Sequence, residues 1–98
     1  MFPLLLRGSQ TLKNSLFLLR FVEKYGENSR FGFLVSKKIS KSAVVRNRLR
    51  RMGYRMIKNY IKDIKPGVLA TFSFLRIPKD GQDVASNIES ILNKSKLI

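Results

Sequence analysis

The sequence contains no cysteine and no histidine, and only six of its 98 residues are acidic. The missing residue types exclude disulfides, thiolate nucleophiles, imidazole acid–base chemistry and zinc sites built from the usual ligands. The opening MFPLLLRGSQ is too short an apolar run for a signal segment, no other window approaches a membrane span, and no glycine-rich phosphate loop precedes a helix. We therefore expect a cytoplasmic protein that does not contact a membrane or a small-molecule cofactor.

Positive charge is present in large excess, with a formal net charge of +14. Such an excess costs self-repulsion in a small domain, and an anionic partner is the usual compensation, with nucleic acid ahead of an acidic membrane surface. Eleven cations lie between Glu27 and Asp63, a stretch that has no acidic residue. They are Arg30, Lys37, Lys38, Lys41, Arg46, Arg48, Arg50, Arg51, Arg55, Lys58 and Lys62.

Length and hydrophobic periodicity predict a single α+β domain over residues 1–98, with the order ββαβα and a small sheet of three to four strands. SLFLLRFV (residues 15–22) and RFGFLV (residues 30–35), joined by the turn-forming EKYGENS, predict a β-hairpin. GVLATFSFLRI (residues 67–77) predicts a further strand. A final helix is expected over residues 81–94, packed on the sheet through Val84, Ile88, Ile91 and Leu92.

A long central helix is predicted over residues 43–64, with Ser42 as N-cap and KPG as the stop signal. Its apolar stripe consists of Val45, Leu49, Met52, Met56 and Tyr60, widened by Ile57, Ile61 and Ile64. Gly53 inside this helix costs about 1 kcal/mol relative to alanine, which indicates that another part of the backbone passes close to it.

The cations of this helix fall on one face at about 100° per residue. That face comprises Arg48, Arg51, Arg55, Lys58 and Lys62, with Arg46 and Arg50 at its border, Asn47 beside it and Lys37, Lys38 and Lys41 in the preceding loop. A merely solvated face would mix both signs for pairing along the helix. The near absence of acids therefore predicts contact with nucleic acid, in which guanidinium groups suit phosphates and Asn47 reaches a base or a 2′-hydroxyl.

The strand aromatics allow a second contact, since a sheet face can stack unpaired bases. They are Phe17, Phe21, Phe31, Phe33, Phe72 and Phe74. We expect most of them to be ordinary core residues and one or two to line a cleft. Protein-based catalysis is disfavoured because the acids are scattered, and the close pair Asp80 and Asp83 suits the start of a helix better than a metal ion.

FGFLVSKKISKSAVVRNRLRR (residues 31–51) closely resembles the signature of the protein subunit of bacterial ribonuclease P. In that family a strand ends in Ser-Lys-Lys, matched by Ser36, Lys37 and Lys38, and a basic helix opens with Arg-Asn-Arg, matched by Arg46, Asn47 and Arg48. LRIP (residues 75–78) agrees more loosely.

The resemblance implies that a separate RNA subunit is the catalyst and holds Mg²⁺, with the precursor tRNA as its substrate. A metal-activated water then cleaves the 5′ leader from the precursor tRNA. It further implies that the basic helix docks on the ribonuclease P RNA while a sheet-side cleft grips the single-stranded leader. Phe17, Phe31 and Phe33 are the candidate cleft residues. The family's helix also makes a rare left-handed crossover between strands.

The sequence departs from the family pattern at three places. ISKSA replaces a glycine-containing loop, and Met52, Gly53 and Tyr54 stand where the family continues with leucines and another arginine. We expect Arg55 to take over from that arginine. Residues 1–6 stand in place of the family's N-terminal helix, so either this helix is truncated or the true start of the protein lies upstream.

Three other functions fit the sequence less well. A ribosome-associated RNA-binding module would bind ribosomal RNA without promoting cleavage. A DNA-binding protein would place the helix in a major groove, although few residues beyond arginine and Asn47 are available to read bases. A protein-only nuclease would need clustered carboxylates, which the sequence does not offer.

Overall fold

The computed structural model describes residues 10–23 and 28–98, which form a four-stranded sheet and two helices. The strands are β1 (Gln10–Lys13), β2 (Phe17–Val22), β3 (Arg30–Leu34) and β4 (Leu69–Phe74), and the helices are α1 (Ala43–Ile57) and α2 (Gly81–Lys94). The α+β class is confirmed, and the polar strand β1 was not predicted. The turn expected around Gly26 and the segment of residues 1–6 lie outside the described residues.

The strands lie in the order β1-β2-β4-β3, with β2 antiparallel and β3 parallel to β4. The predicted hairpin of β2 with β3 is therefore wrong, because β4 lies between them. β4 takes the central place because LATFSF is buried at every position but one, as expected of a strand with a neighbour on each side.

Helix α1 connects β3 to β4 across the sheet, as parallel neighbours require. It packs beside β3, whereas α2 packs against β2. The left-handed sense of this crossover stays a prediction.

Helix α1 begins as predicted, since the Val45 N–H donates to the Ser42 Oγ at 3.2 Å. Leu49, Gly53 and Ile57 form its fully buried face. Partly buried side chains flank that face: Val45, Met52 and Met56. These side chains bury the face that the periodicity predicted.

The predicted extension of α1 to Ile64 is wrong, because the helix ends at Ile57. The N–H groups of Asn59 and Tyr60 donate to carbonyls three residues earlier, at 3.2 and 2.9 Å, and a short 3₁₀ helix follows at Ile61–Asp63. This tighter winding leaves the Ile61 side chain exposed, contrary to prediction, and turns Ile64 into the core ahead of β4.

The core lies between the sheet and the two helices. Phe72 on the central strand meets Phe17 edge-on, with ring centroids 5.6 Å apart, and stacks on Phe33 at 4.8 Å. The buried face of α2 closes this layer with the four residues predicted from its sequence, Val84, Ile88, Ile91 and Leu92. One continuous cluster of apolar side chains therefore fixes both helices on the same side of the sheet.

A polar network joins the β1–β2 turn to the start of α2. The Arg76 guanidinium donates to both oxygens of Asp83, at 2.8 and 3.2 Å, and to the Ser15 carbonyl at 3.0 Å. The same carboxylate accepts the Lys79 N–H at 2.8 Å and the Asn87 amide at 2.9 Å. The Arg76 hydrogen bonds, followed by the Lys79 N–H, lower the pKa of Asp83 to about 2.

We expect Asp83→Asn to lower the free energy of unfolding by about 1–2 kcal/mol near neutral pH, since a neutral amide replaces an ionised acceptor. The folded pKa of Asp83 lies below its ordinary value of 3.8. The wild-type advantage is therefore present above about pH 4 and lost as the pH falls toward 2. Urea unfolding across this range measures it, with the exposed carboxylate Asp63→Asn as control. An advantage that persists undiminished at pH 2 would contradict the assignment.

Candidate nucleic-acid interface

The solvent side of α1 carries the predicted line of cations, here called the basic face. It consists of Arg48, Arg51, Arg55 and Lys58, all exposed. Spacings of three and four residues align these side chains opposite the buried Leu49 and Ile57. Lys62 is also exposed, but it lies in the 3₁₀ helix beyond the end of α1 and does not continue the alignment.

No acidic side chain neutralises the basic face within the part of the chain that the structure describes. The two ion pairs found there join Lys65 to Glu23 at 3.8 Å and Arg76 to Asp83 at 2.8 Å. Neither involves α1. The positive charge of the basic face is therefore available to an external polyanion.

The arginines of the Arg-Asn-Arg motif differ in their surroundings. Arg46 is half-buried, and its Nη1 donates to the Ser40 carbonyl at 2.9 Å. Asn47 accepts a hydrogen bond from the Arg50 guanidinium through its side-chain oxygen. Arg46 therefore braces the loop before α1, while Arg48 points to solvent with its guanidinium available.

The loop before α1 presents Lys37, Lys38 and Lys41, all exposed. The N–H groups of Ile39 and Ser40 donate to the Ser36 carbonyl at 3.0 and 3.3 Å, which closes a turn. The partly buried Ile39 packs against the core and anchors that turn. The three lysines thus project from an ordered segment that leads directly into the basic face.

The structure separates the three candidate cleft aromatics. Phe17 is 0% exposed and packs in the core between sheet and helices, so its prediction as a cleft residue is wrong. Strand alternation directs it toward α2 and away from solvent. Phe31 is half-buried near the start of β3, and Phe33, at 2% exposure, lies against α1.

A cavity of about 330 Å³ opens at β3, which is an edge strand of the sheet. Its lining consists of Arg30, Phe31, Gly32, Phe33, Leu34, Tyr54, Leu69, Ala70 and Thr71. Gly32 keeps this space clear, because a Cβ there would point between the Tyr54 hydroxyl at 4.0 Å and the Thr71 methyl at 3.9 Å.

Tyr54 is the residue that sequence reasoning missed. It belongs to α1, yet its side chain lines the cavity, and its hydroxyl accepts the Phe33 N–H at 3.4 Å. The available signal was the departure at Met52, Gly53 and Tyr54, where the resembling family continues with leucines and another arginine. Tyr54 joins the basic face to the cavity.

The face of the sheet opposite the helices also carries positive charge. Strand pairing places Arg20 beside Thr71 and Thr71 beside Gly32 in one row across three strands. Arg30 lies in the adjacent row, next to Leu69. Both arginines are exposed on the face to which Gly32 and the cavity belong. The alternation in FLLRFV was sufficient to predict the direction of Arg20.

The close pair of acids, Asp80 and Asp83, has a structural role at the start of α2. Asp80 accepts the Asp83 N–H at 2.9 Å as N-cap of α2, which confirms the predicted capping. No cluster of metal-ligating side chains occurs within residues 10–23 and 28–98. In the same ranges, no helix has the length and apolar character needed to cross a membrane.

A protein-family model described as Ribonuclease P matches residues 1–95 of the chain. A ribonuclease P protein component from Synechocystis is 43% identical over 61 residues, which is 62% of this chain and 49% of that relative. The chain thus spans about half the length of that relative. One from Synechococcus elongatus is 32% identical over 109 residues, covering 99% of this chain and 85% of the relative.

Two solved structures share the fold. The RNase P protein of Staphylococcus aureus superposes with a TM-score of 0.81 at 22% identity, over 95% of this chain and 86% of that one. The RNase P protein of Thermotoga maritima does so with a TM-score of 0.78 at 21% identity, over 93% of this chain and 87% of that one.

We expect Arg51→Ala and Arg55→Ala each to weaken binding to a folded RNA and to reduce the slope of log affinity against log salt by about 1, since each removes one phosphate contact. Binding isotherms over a series of salt concentrations measure both quantities. Lys94→Gln is the matched charge control, because the Lys94 ammonium lies 3.2 Å from the Lys13 carbonyl of β1, at the opposite edge of the sheet. If all three variants kept the wild-type slope of log affinity against log salt, the basic face would not contact phosphates.

Proposed function

We propose that this chain, which belongs to the ribonuclease P protein family, binds ribonuclease P RNA through the basic face of α1 and the 5′ leader of precursor tRNA beside the cavity. Family membership makes it a protein subunit of ribonuclease P and connects it with that enzyme's activity. The proposed reaction is the endonucleolytic removal of the leader in the cytoplasm, which produces the mature 5′ end of the tRNA.

The observation that carries this proposal is the unneutralised basic face of a rigid helix. Arg48, Arg51 and Arg55 are held in one direction by the burial of the opposite side of α1. The packed helix fixes the backbone positions from which these side chains extend, and each phosphate contact releases condensed counterions. Such a surface suits a large folded RNA better than a small anion.

The remaining cations extend the proposed RNA contact on both sides of the basic face. Lys37, Lys38 and Lys41 approach the RNA from the loop before α1, and Lys62 from the 3₁₀ helix after it. Arg50 and Asn47 contribute as a hydrogen-bonded pair, and Arg46 contributes chiefly by bracing the loop. These roles agree with the burial and hydrogen bonds of each side chain.

We propose that the 5′ leader binds in the cavity and on the adjoining sheet face, and not against a row of phenylalanine side chains. Phe31 and Tyr54 offer aromatic surface at the cavity, and Arg20 and Arg30 offer positive charge beside it. Single-stranded RNA is bound by this combination, in which bases stack on aromatic rings and cations follow the phosphates.

Among the described residues, no group of acids suits a Mg²⁺ site. In the close pair, Asp80 caps α2 and Asp83 is occupied by Arg76 and the Lys79 N–H. We therefore assign Mg²⁺ binding mainly to the RNA subunit and the substrate, where the ion would activate water for attack on the phosphate. The protein contributes by binding both RNAs. With no histidine or cysteine, it lacks the usual groups for proton transfer at neutral pH.

The test is reconstitution of the full chain with the ribonuclease P RNA of Synechocystis and a precursor tRNA. The double variant Arg48→Ala/Arg51→Ala should reduce cleavage at low Mg²⁺ by more than about tenfold, yet by less than about threefold at high Mg²⁺. The reason is that added divalent cations screen the phosphate repulsion that the two arginines otherwise offset. Cleavage rates over a Mg²⁺ series measure the effect.

Lys94→Gln again serves as control and should behave like the wild type at every Mg²⁺ concentration. The proposal fails if the double variant matches the wild type at low Mg²⁺. It also fails if the wild-type protein binds ribosomal RNA and gives no stimulation of leader removal, which would favour the ribosome-associated alternative.

A further inference from the structure

Helix α1 makes its closest approach to the sheet at Gly53. A Cβ added there would lie 2.4, 2.6 and 2.8 Å from the Cδ2, Cε2 and Cγ atoms of the Phe33 ring. Side-chain carbons do not approach one another so closely, and Gly53 lies in the buried face of α1. Any larger residue would therefore force the ring or the helix to move. The sequence had indicated a close approach at Gly53, and the group that approaches is a side-chain ring and not a backbone.

The Phe33 ring has little room to retreat. It stacks on Phe72 with centroids 4.8 Å apart and planes 11° from parallel, and it meets Phe17 edge-on at 6.0 Å. All three rings are almost fully buried. Because packed rings resist displacement, an added methyl group at Gly53 would act mainly on the position of α1.

Tyr54, the residue after Gly53 in α1, packs against the same Phe33 ring. Its ring lies 5.1 Å from that of Phe33 at 74°, and its hydroxyl accepts the Phe33 N–H. On the helix surface, Tyr54 follows Arg51 by three residues and precedes Lys58 by four, so it is a neighbour of both. The basic face and the cavity therefore meet at Tyr54.

We infer that Gly53 and Tyr54 are positioning residues that set α1 against β3, so that the single-stranded 5′ leader can occupy the cavity while Arg51 and Lys58 bind ribonuclease P RNA beside it. Gly53 permits the close approach of α1 to β3. Tyr54 sets the distance of that approach and forms the boundary between the basic face and the cavity. These are two of the positions at which the sequence departs from the pattern of leucines and arginine. The inference rests on the proposed function, because it assumes that both surfaces bind RNA.

The experiment uses the full chain assembled with Synechocystis ribonuclease P RNA. Two quantities are measured: the affinity of the protein for that RNA, and the ratio of the holoenzyme's affinities for precursor and mature tRNA, which reports leader binding. Gly53→Ala is compared with Gly53→Ala/Phe33→Leu, in which the smaller side chain at residue 33 makes room for the methyl group. Gly81→Ala is the matched control, because its added Cβ meets only the flexible Met56 side chain, at 3.4 Å.

Gly53→Ala should lower the precursor-to-mature ratio by about fivefold or more while the affinity for ribonuclease P RNA changes by less than about twofold. The double variant should recover the ratio to within about twofold of wild type, and Gly81→Ala should leave both quantities unchanged. If Gly53 served only stability, Gly53→Ala would weaken the binding of ribonuclease P RNA and of precursor tRNA together. The Phe33→Leu change would then not restore the precursor-to-mature ratio selectively. An unchanged ratio in Gly53→Ala, or no recovery in the double variant, overturns the inference.

Tyr54→Ala gives an independent reading if Gly53→Ala does not fold. The Tyr54 side chain is 41% exposed, so its truncation removes the boundary between the basic face and the cavity without emptying the core. It should also lower the ratio by about fivefold, and an unchanged ratio counts against the inference. Failure of the wild-type protein to bind the RNA, or to discriminate precursor from mature tRNA, instead rejects the proposed function itself.

Discussion

Like charges three and four residues apart destabilise a helix. The solvent side of α1 carries Arg48, Arg51 and Arg55, and Lys58 follows as its C-cap. The three neighbouring pairs together cost about 1 kcal/mol. Burial of a single aliphatic side chain such as Leu49 or Ile57 contributes about 1.5–3 kcal/mol, so tertiary packing outweighs the repulsion. The basic face therefore depends for its stability on the contact of α1 with the sheet.

The parts of the fold that depend on local sequence patterns were predictable from the sequence. Helix α2 and its buried face followed from the 3.6-residue period, and the start of α1 followed from Ser42. The order of the strands did not follow, because alternation shows which face a residue occupies and not which strand lies beside it. Sequence proximity favoured pairing β2 with β3, whereas burial of the apolar β4 at the centre determined the actual order. The early end of α1 likewise depends on the return of the chain to β4.

The candidate site likewise has one part that the sequence predicts and one part that it does not. The basic face was predictable because it requires only helical periodicity and residue type. The cavity was not, because Phe17 and Phe31 look alike in sequence and differ in their place in the sheet: β2 is an interior strand and β3 is an edge strand. Tyr54 was missed for a related reason. Its importance comes from the strand edge that it reaches, and that edge is known only once β4 is placed between β2 and β3.

The distribution of the acids explains how so much positive charge stays available. Among the described residues, Asp80 caps α2, Asp83 binds Arg76, Glu23 pairs with Lys65, and Glu89 accepts the Tyr60 hydroxyl at 3.1 Å. Carboxylates that are already bound in this way have less capacity to compete for the arginines of α1. Over the described ranges, the exposed cations of α1 and of the preceding loop therefore keep their positive charge without acidic partners. Exposed cations without acidic partners orient a protein toward a polyanion before contact and speed association at low salt.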